Sequence, residues 1–518
     1  AGTSSVVTLT PSLSTTTALT VTVPGSLSAG TACIVRVLRA DGVYADFSAL
    51  GVTEPSENLG SFIVDDAMTA ARRAPAVTTA RATGSARFIY AFGGDGGGVS
   101  SARSDAEVSA VDAYGDLAGW RALPLALPGK RTLASAATVG RFIWLVGGHD
   151  GASAQKTTYR AAVLSPDEAP QIDDIQLDTA AVGLGAGVWS WRVAAVMASN
   201  DPINPAGESL ASDPVTVRLP KLTVAVQVQL SWLAVPGAVS YRVYRSAVAS
   251  GGAASLALLA TVPANTTSFT DSGDATGAAK PRQLGDLGSW IAGPTLGSAR
   301  QGMGLVMAVD GADSAKLHLY ALLGHDGGAA RNDAEALTVL VGAAGAQTPA
   351  SWANLGSVGT ARWQLGGYRV DRTVTTRLNN AADVWIYAGP GANSAASGTV
   401  DEMQAAQVLP GGGLSAWKSV ASAKNTAGYG FAAAANQLFT FGGAGIGPSK
   451  GGSSGQLCGG TVKCPKGAGI PEISNWNSGI ALGTTRYLMG SAVESGHLFM
   501  IGGIDGGGAT ATVERVLW

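Results

Sequence analysis

The sequence predicts an all-β protein whose larger part is a six-bladed β-propeller, joined to a β-sandwich insert and a small N-terminal β segment. Three observations predict this fold: a composition rich in glycine and poor in charge, an apolar segment ending in glycines that recurs six times, and one long gap in that recurrence. We expect four parts, which are 1–57 (β segment), 58–168 (propeller), 169–276 (insert) and 277–518 (propeller).

The composition favours strands and tight turns over long helices. Of the 518 residues, 72 are glycine and only 14% are charged, whereas a helical protein of this length would be rich in Glu and Lys. The 34 Lys and Arg balance the 36 Asp and Glu, and no long basic run occurs. Nucleic acid and anionic membranes, which need concentrated positive charge, are therefore not expected as partners, and no apolar stretch is long enough to predict membrane insertion.

The repeat is a strand-like apolar run that ends in small residues, most often a glycine pair. An aromatic residue precedes each copy, and the interval between the second and third aromatic is about 110 residues too long, which indicates an insertion. The copies are RFIYAFGGDGG at 87, RFIWLVGGHDG at 141, LHLYALLGHDGG at 317, VWIYAGPG at 384, QLFTFGGAG at 437 and HLFMIGGIDGGG at 497; the aromatics are Phe62, Trp120, Trp290, Trp352, Trp417 and Trp476.

Each copy belongs to a unit of about 60 residues that contains four short predicted strands. An arginine lies 10 or 11 residues after the aromatic in five units, and a glutamate often follows the glycines. Six such units are typical of the blades of a propeller. The last unit lacks a fourth strand, so we expect residues 58–65 to supply it and to leave no open sheet edge.

These units resemble the kelch repeat, with Gly-Gly after the second strand and Trp in the fourth. The resemblance covers residues 58–168 and 278–518. It implies a six-bladed kelch-like propeller. The chain departs from the family pattern in three ways: GPG in the fourth unit, LGHDGG in the third, and no tyrosine on most third strands.

The insert at 169–276 alternates Val, Trp, Tyr and Thr between turns, which predicts an antiparallel sandwich. LSWLAVPGAVSYRVYR resembles the second and third strands of a fibronectin type III domain, with Trp232 as the core aromatic. WSWRVAAV resembles the sixth strand of that family but comes first, so the insert is either permuted or a related sandwich. Residues 1–57 predict a small immunoglobulin-like β segment that packs against the propeller or a neighbouring subunit.

Two sets of recurring residues are candidates for a site. The arginines could form a ring at the mouth of the propeller that binds carboxylates or acidic sugars, or they could tie blades together; they are Arg73, Arg131, Arg300, Arg362 and Arg486. The turns after the glycine pairs could bind a ligand through Asp95 and Asp505, or a metal ion through His149, Asp150, His325 and Asp326. The alternative is that these side chains only shape turns.

The cysteines bear on the cellular location. Cys458 and Cys464 are separated by five residues in a glycine-rich stretch, which favours a disulfide and an oxidising compartment, with free thiols or a metal as alternatives; Cys33 is expected to be a small buried hydrophobe.

We therefore expect a non-enzymatic structural or adhesion protein that is extracellular, on a cell surface or on a virion, as in a bacterial adhesin or a phage tail. It would bind a glycan or protein, or assemble with neighbouring subunits through its N-terminal segment, and would need no cofactor. The alternative function is a secreted carbohydrate-active or oxidase-type enzyme with a site at the propeller mouth; no serine-nucleophile elbow, HExxH or Walker loop supports it.

Overall fold

The computed structural model describes residues 13–14, 19–20, 32–38, 44–51, 59–249, 252, 255–373, 382–393, 398–423, 426–434, 437–444, 449–458 and 472–518. The predicted all-β class is confirmed, because the regular structure in these ranges is antiparallel strands with four short 3₁₀ turns at Val99–Ser101, Pro166–Glu168, Ala343–Gly345 and Pro410–Gly412. Within the described part of the chain, no helix is long and apolar enough to cross a membrane.

The first strands form two hairpins and then enter the repeat region. In the N-terminal segment β1 (Leu13–Ser14) pairs with β2 (Leu19–Thr20), and β3 (Ala32–Leu38) pairs with β4 (Tyr44–Gly51). The next strands are β5 (Ile63–Asp65), β6 (Ala76–Arg81), β7 (Arg87–Phe92), β8 (Ala106–Val111), β9 (Leu117–Ala122), β10 (Ser135–Val139), β11 (Phe142–Val146) and β12 (Thr158–Ala162).

The inserted strands form two sheets that share one core. They are β13 (Ile172–Ala180), β14 (Gly187–Met197), β15 (Glu208–Ala211), β16 (Val215–Leu219), β17 (Ala225–Trp232), β18 (Ala238–Ser246), β19 (Leu256–Pro263) and β20 (Ser268–Asp271). One sheet has the order β13-β17-β20, and in the other β14 lies between β18 and the successive strands β15 and β16. Trp191, Val193, Leu230, Trp232 and Tyr241 are buried between them.

The remaining strands return to the repeat pattern. They are β21 (Ile291–Ala292), β22 (Gly304–Val309), β23 (Lys316–Leu322), β24 (Asp333–Val341), β25 (Gln347–Pro349), β26 (Ala353–Ser357), β27 (Gly367–Thr373), β28 (Ala382–Ala388), β29 (Gly391–Ala392), β30 (Thr399–Val400), β31 (Met403–Gln407), β32 (Lys418–Val420), β33 (Gly430–Ala434), β34 (Gln437–Phe441), β35 (Gly451–Leu457), β36 (Ile473–Ala481), β37 (Gly490–Glu494), β38 (His497–Ile501), β39 (Ile504–Asp505), β40 (Gly508–Ala509) and β41 (Val513–Leu517).

Six antiparallel sheets follow from these strands, and we call them units one to six. Their orders are β6-β7-β8-β9, β10-β11-β12-β21, β22-β23-β24 with β25 and β26 both on β24, β27-β28-β31-β32, β33-β34-β35-β36, and β37-β38-β41-β5. The insert lies between β12 and β21, and the expected closing strand is present, because β5 pairs with β41 and places Val64 opposite Glu514.

Backbone hydrogen bonds join the six units in a cycle. Ahead of each first strand stands one residue with left-handed backbone, whose N–H donates to the carbonyl of the corresponding residue in the preceding unit. The bonds run from Ala74 to Leu488, Leu133 to Ala74, Gly302 to Leu133, Gln364 to Gly302, Gly428 to Gln364 and Leu488 to Gly428, with N···O distances of 2.5–3.2 Å. Four of the six are not glycine, although positive φ is costly for such residues.

The cores lie mainly between sheets of neighbouring units. Ile89 and Ala91 of unit one pack with Phe499 and Ile501 of unit six, so the first and last units share a core as adjacent units do. The insert is attached to the repeat region as well: Ile203 enters the core of units two and three, and Asn204 Oδ1 accepts from the Ser289 N–H at 2.9 Å. Both ends of the repeat region therefore pack as interior elements.

Candidate functional site

The recurring arginines are directed into their own units. The Arg300 side chain is fully buried, and its Nη2 lies 2.8 Å from Glu335 Oε1 and 2.9 Å from Asp333 Oδ2. Its Nη1 donates to the Leu323 carbonyl at 2.8 Å. Arg486 is equally buried, and its Nη2 lies 2.5 Å from Glu514 Oε1. Both guanidinium groups are buried and bonded to acceptors of their own unit, so neither is open to a ligand.

In the first unit the recurring arginine is Arg72, and the assignment to Arg73 is wrong. Arg72 is fully buried and lies 2.7 Å from Glu107, which corresponds to the Arg300 pair. Arg73 is the next residue; its Nε contacts the carboxylate of Asp95 and its side chain is 20% exposed. The two arginines are adjacent, 10 and 11 residues after Phe62, so the spacing fits both of them.

Arg131 and Arg362 occupy the same place with different partners. Tyr159 stands where units one, three and six have glutamate, so Arg131 donates to Thr157 Oγ1 at 2.6 Å, lies over the Tyr159 ring, and has its pKa lowered by burial. Arg362 donates to the Gly389 carbonyl at 2.8 Å and lies 3.3 Å from Glu402. Burial lowers the pKa of Arg362 as well.

The glutamates also hold the turn that precedes each arginine. Glu335 Oε2 accepts from the Gly297 N–H at 2.6 Å, and Glu514 and Glu107 accept in the same way from Gly483 and Thr69. One carboxylate thus links the third strand, the arginine and the turn that leads into the first strand. A hydrogen bond accepted by a charged carboxylate is stronger than one between neutral groups, so each set of bonds stabilises its unit.

Asp95 and Asp505 occupy different turn positions. Asp95 is fully buried, and its carboxylate accepts from the Gly97 and Gly98 N–H groups and from Thr132 Oγ1 at 2.7 Å. Asp95 also forms a β-bridge with the segment that begins its unit. His149 and His325 form the same β-bridge in their units, so the three residues occupy equivalent positions. Asp505 comes one residue later in its turn and accepts from the Gly507 N–H at 2.8 Å.

The two His-Asp-Gly turns are held by their own hydrogen bonds. His149 Nδ1 accepts from Gly151 at 3.1 Å, and His325 Nδ1 accepts from Gly327 at 3.0 Å. Asp150 accepts from the Ser153 and Ala152 N–H groups and Asp326 from the Ala329 and Gly328 groups; these bonds lower the pKa of both carboxyl groups. Among the described residues, no group of three or more His, Cys, Asp or Glu side chains is placed to hold a metal ion.

His318 and His497 contribute to contacts between units, which the sequence analysis missed. His318 Nε2 lies 3.0 Å from Asp310 Oδ2, and its ring covers Gly412 of the next unit, where a Cβ would overlap the imidazole. His497 covers Gly115 in the same way, and burial lowers its pKa. The sequence carries a signal for this role, which is a large ring at the same position of the second strand. In unit one that ring is Phe88, and it packs on Gly285.

Cys458 is disulfide-bonded and buried. Cys464 and Cys33 lie where the structure describes no side chain, so the pairing of Cys458 with Cys464 stays a prediction.

Two of the cavities in the described part of the chain bear on where a ligand could bind. The first lies at the cycle of backbone bonds, holds about 120 Å³, and is lined mainly by Ala, Leu, Met and Gly from the six units. The second is a groove of about 710 Å³ between the outer strands of units three and four, next to Trp417. The first has room for only a few waters, whereas the second is within the size range of ligand sites.

Comparisons with known proteins name no family, and the likeness to a solved structure is weak. No protein-family model and no curated protein matches the chain. A solved structure titled "Structure of YjhT" is similar over 87% of this chain and 96% of that one, with 12% sequence identity and a TM-score of 0.41. A likeness at this level carries no argument about fold or activity.

Proposed function

We propose that the chain is a six-bladed kelch-like propeller carrying a fibronectin III-like insert, and that it works without catalysis as a structural or adhesion protein outside the cell or on a virion. It binds a glycan or protein on a surface, or neighbouring copies in an assembly. The propeller is supported by the six sheets and by the cyclic bonds from Ala74 through Leu488.

The proposed function rests on the partners of the recurring charged residues, which lie within the protein. Arg72, Arg300 and Arg486 each form a buried pair with a glutamate of the same unit, so the groups that recur in the sequence maintain the scaffold. Binding then falls to the parts that differ between units, which are the turns, the outer strands and the insert. Rigid scaffolds commonly present their binding residues on such variable segments.

The insert and the N-terminal segment supply further surface for partners. In the insert β13 is an edge strand, and Leu177 on it is 49% exposed. Edge strands can pair with a strand from another chain. The hairpins β1–β2 and β3–β4 precede the repeat region, and we assign them to contacts with neighbouring subunits.

The experiment uses the full chain in three parallel assays. It is applied to arrays of glycans and surface proteins, examined by native mass spectrometry for self-assembly, and incubated with polysaccharides and with alcohol substrates for oxidases. We expect specific binding or assembly and no turnover. Turnover that persists through purification, together with no binding and no assembly, would contradict the proposal.

A variant set locates the binding surface. One variant replaces residues 172–271 by a short Gly-Ser linker, and a matched control carries Leu177→Ser within the intact insert. The deletion also removes Ile203 from the core of units two and three, so it is interpreted only if circular dichroism and melting show a folded repeat region. Loss of binding with a folded deletion variant alone then assigns the partner to the sandwich as a whole, and loss with both assigns it to the β13 face. Unchanged binding in both variants assigns it to the repeat region.

A further inference from the structure

The groove between units three and four has two walls of different origin. Leu355 and Ser357, at the end of β26, form the wall from unit three, and Leu414, Trp417 and Ser419 form the wall from unit four. Gln404 lies on the same sheet as Ser419. None of the residues that line the groove is charged.

The same position is closed by an indole hydrogen bond in two other units, whereas the indole N–H groups of Trp120 and Trp290 are buried with no acceptor among the described residues. In unit three the indole N–H of Trp352 donates to the Pro294 carbonyl at 3.0 Å, and in unit five Trp476 donates to Ala421 at 2.9 Å. Each acceptor comes four residues after the tryptophan of the preceding unit. In unit four the corresponding acceptor would be Gly356, but within the described part of the chain Trp417 donates to no acceptor, and the groove occupies this place.

The Gln404 amide is held in one orientation. Its Nε2 donates to Ser419 Oγ at 2.9 Å and to a carboxylate oxygen of Glu402. A carboxylate can only accept, so the nitrogen must face Glu402 and the amide oxygen is left free for a donor. Burial raises the pKa of Glu402, but the hydrogen bonds from Thr360 and Gln404 and the charge of Arg362 outweigh it and lower the pKa overall, which keeps the carboxylate ionised.

The groove therefore presents an aromatic side chain with an unpartnered N–H, an oriented amide oxygen and serine hydroxyls on both walls. A sugar ring has an apolar C–H face that packs on an indole and a rim of hydroxyls that both donate and accept. A site with a few convergent polar groups on an apolar surface is typical of small-ligand recognition. The absence of a charged lining side chain favours a neutral sugar over an acidic one, which would need an arginine or lysine.

We propose that this groove binds a neutral oligosaccharide, with the Trp417 ring against one sugar face and Gln404, Ser357 and Ser419 bonded to its hydroxyls. The inference rests on the proposed function, because it names one surface through which the chain would bind its target.

The test is isothermal titration calorimetry of the full chain with neutral oligosaccharides of glucose, galactose, mannose and N-acetylglucosamine, and with a sialylated oligosaccharide for comparison. Trp417→Ala removes the stacking surface, and Ser357→Trp fills the groove from the opposite, exposed wall. We expect each to weaken binding of the neutral ligand at least tenfold and Trp417→Phe to weaken it less. Tyr114→Ala, an exposed aromatic outside the groove, is the control and should bind as wild type.

The outcomes separate this proposal from the broader one. Neutral oligosaccharides that bind all four variants as tightly as wild type would overturn the groove but leave surface binding intact. Binding to a surface protein with no binding to a neutral oligosaccharide would do the same. If the chain neither binds nor assembles, both proposals fail. Melting temperatures within a few degrees of wild type establish that a weakened variant is folded.

Discussion

The backbone N–H of Ala74 donates to the carbonyl of Leu488 at 2.7 Å, and so joins the start of unit one to the start of unit six. The two residues are more than 400 positions apart in sequence, and both have left-handed backbone. Each residue of the cycle donates to one neighbour and accepts from another, so strain at one position is compensated by bonds on both sides.

The glycine pairs should be intolerant of a side chain at their second position. Gly94 has φ +82°, and a Cβ there would lie 2.7 Å from the Arg73 carbonyl oxygen. We expect Gly94→Ala to lower the free energy of unfolding by about 2 kcal/mol or more, from backbone strain and overlap. Urea unfolding measures this. Gly97→Ala, where nothing lies within 4 Å, is the control and should stay within about 0.5 kcal/mol.

The closing strand should stabilise the last unit through its backbone. Ile63 and Val64 are 52% and 71% exposed, so their side chains contribute little, while β5 covers the edge of β41. We expect the double change Ile63→Pro and Val64→Pro to lower the melting temperature and to promote aggregation, because one of the two prolines removes a ladder N–H. The double change to Thr is the control. Equal melting curves for the two doubles would show that the pairing is dispensable.

His497 should make stability depend on pH. Burial lowers its pKa in the folded state, so the unfolded chain binds the proton more readily and stability falls as the pH drops below about 6.5. His497→Phe copies Phe88, the residue at the same register in unit one. We expect this variant to lose less stability than wild type between pH 7.5 and 5.5 in urea unfolding. The idea fails if both proteins lose the same amount.

The disulfide should be local. Peptide mapping without reduction is expected to give one cross-linked peptide containing Cys458 and Cys464, and a thiol titration of the denatured chain one free thiol, that of Cys33. A peptide linking Cys458 to Cys33 would contradict the prediction and tie the N-terminal segment to unit five.

Several parts of this architecture were predictable from the sequence. The six copies, the turns after them and the closing strand all leave a local or periodic signal, because a repeated unit must place the same residue type at the same sheet position. The second glycine of the pair is an example: its N–H in unit six, at Gly503, donates to the Arg72 carbonyl of unit one at 2.8 Å.

Other features depend on contacts that no spacing reveals. Arg72 and Arg73 are neighbours, and only burial distinguishes the residue that pairs with Glu107 from the one that contacts Asp95. The groove beside Trp417 arises because two outer strands leave space between them in one place, although the tryptophan itself recurs like the others. Such spaces between units are set by packing rather than by the repeat.

The central claim is that the recurring arginines maintain the fold and do not bind ligand. The most direct test is the free energy of unfolding of Arg300→Gln, compared with Arg331→Gln. Arg331 is a neighbouring arginine that is 26% exposed and pairs with Asp333 and Asp326. Because Arg300→Gln leaves the buried Glu335 carboxylate without its cation, whereas Asp333 keeps Arg331, we predict a loss of about 3–5 kcal/mol, against about 1 kcal/mol or less for Arg331→Gln. Equal and small losses in the two variants would contradict the claim.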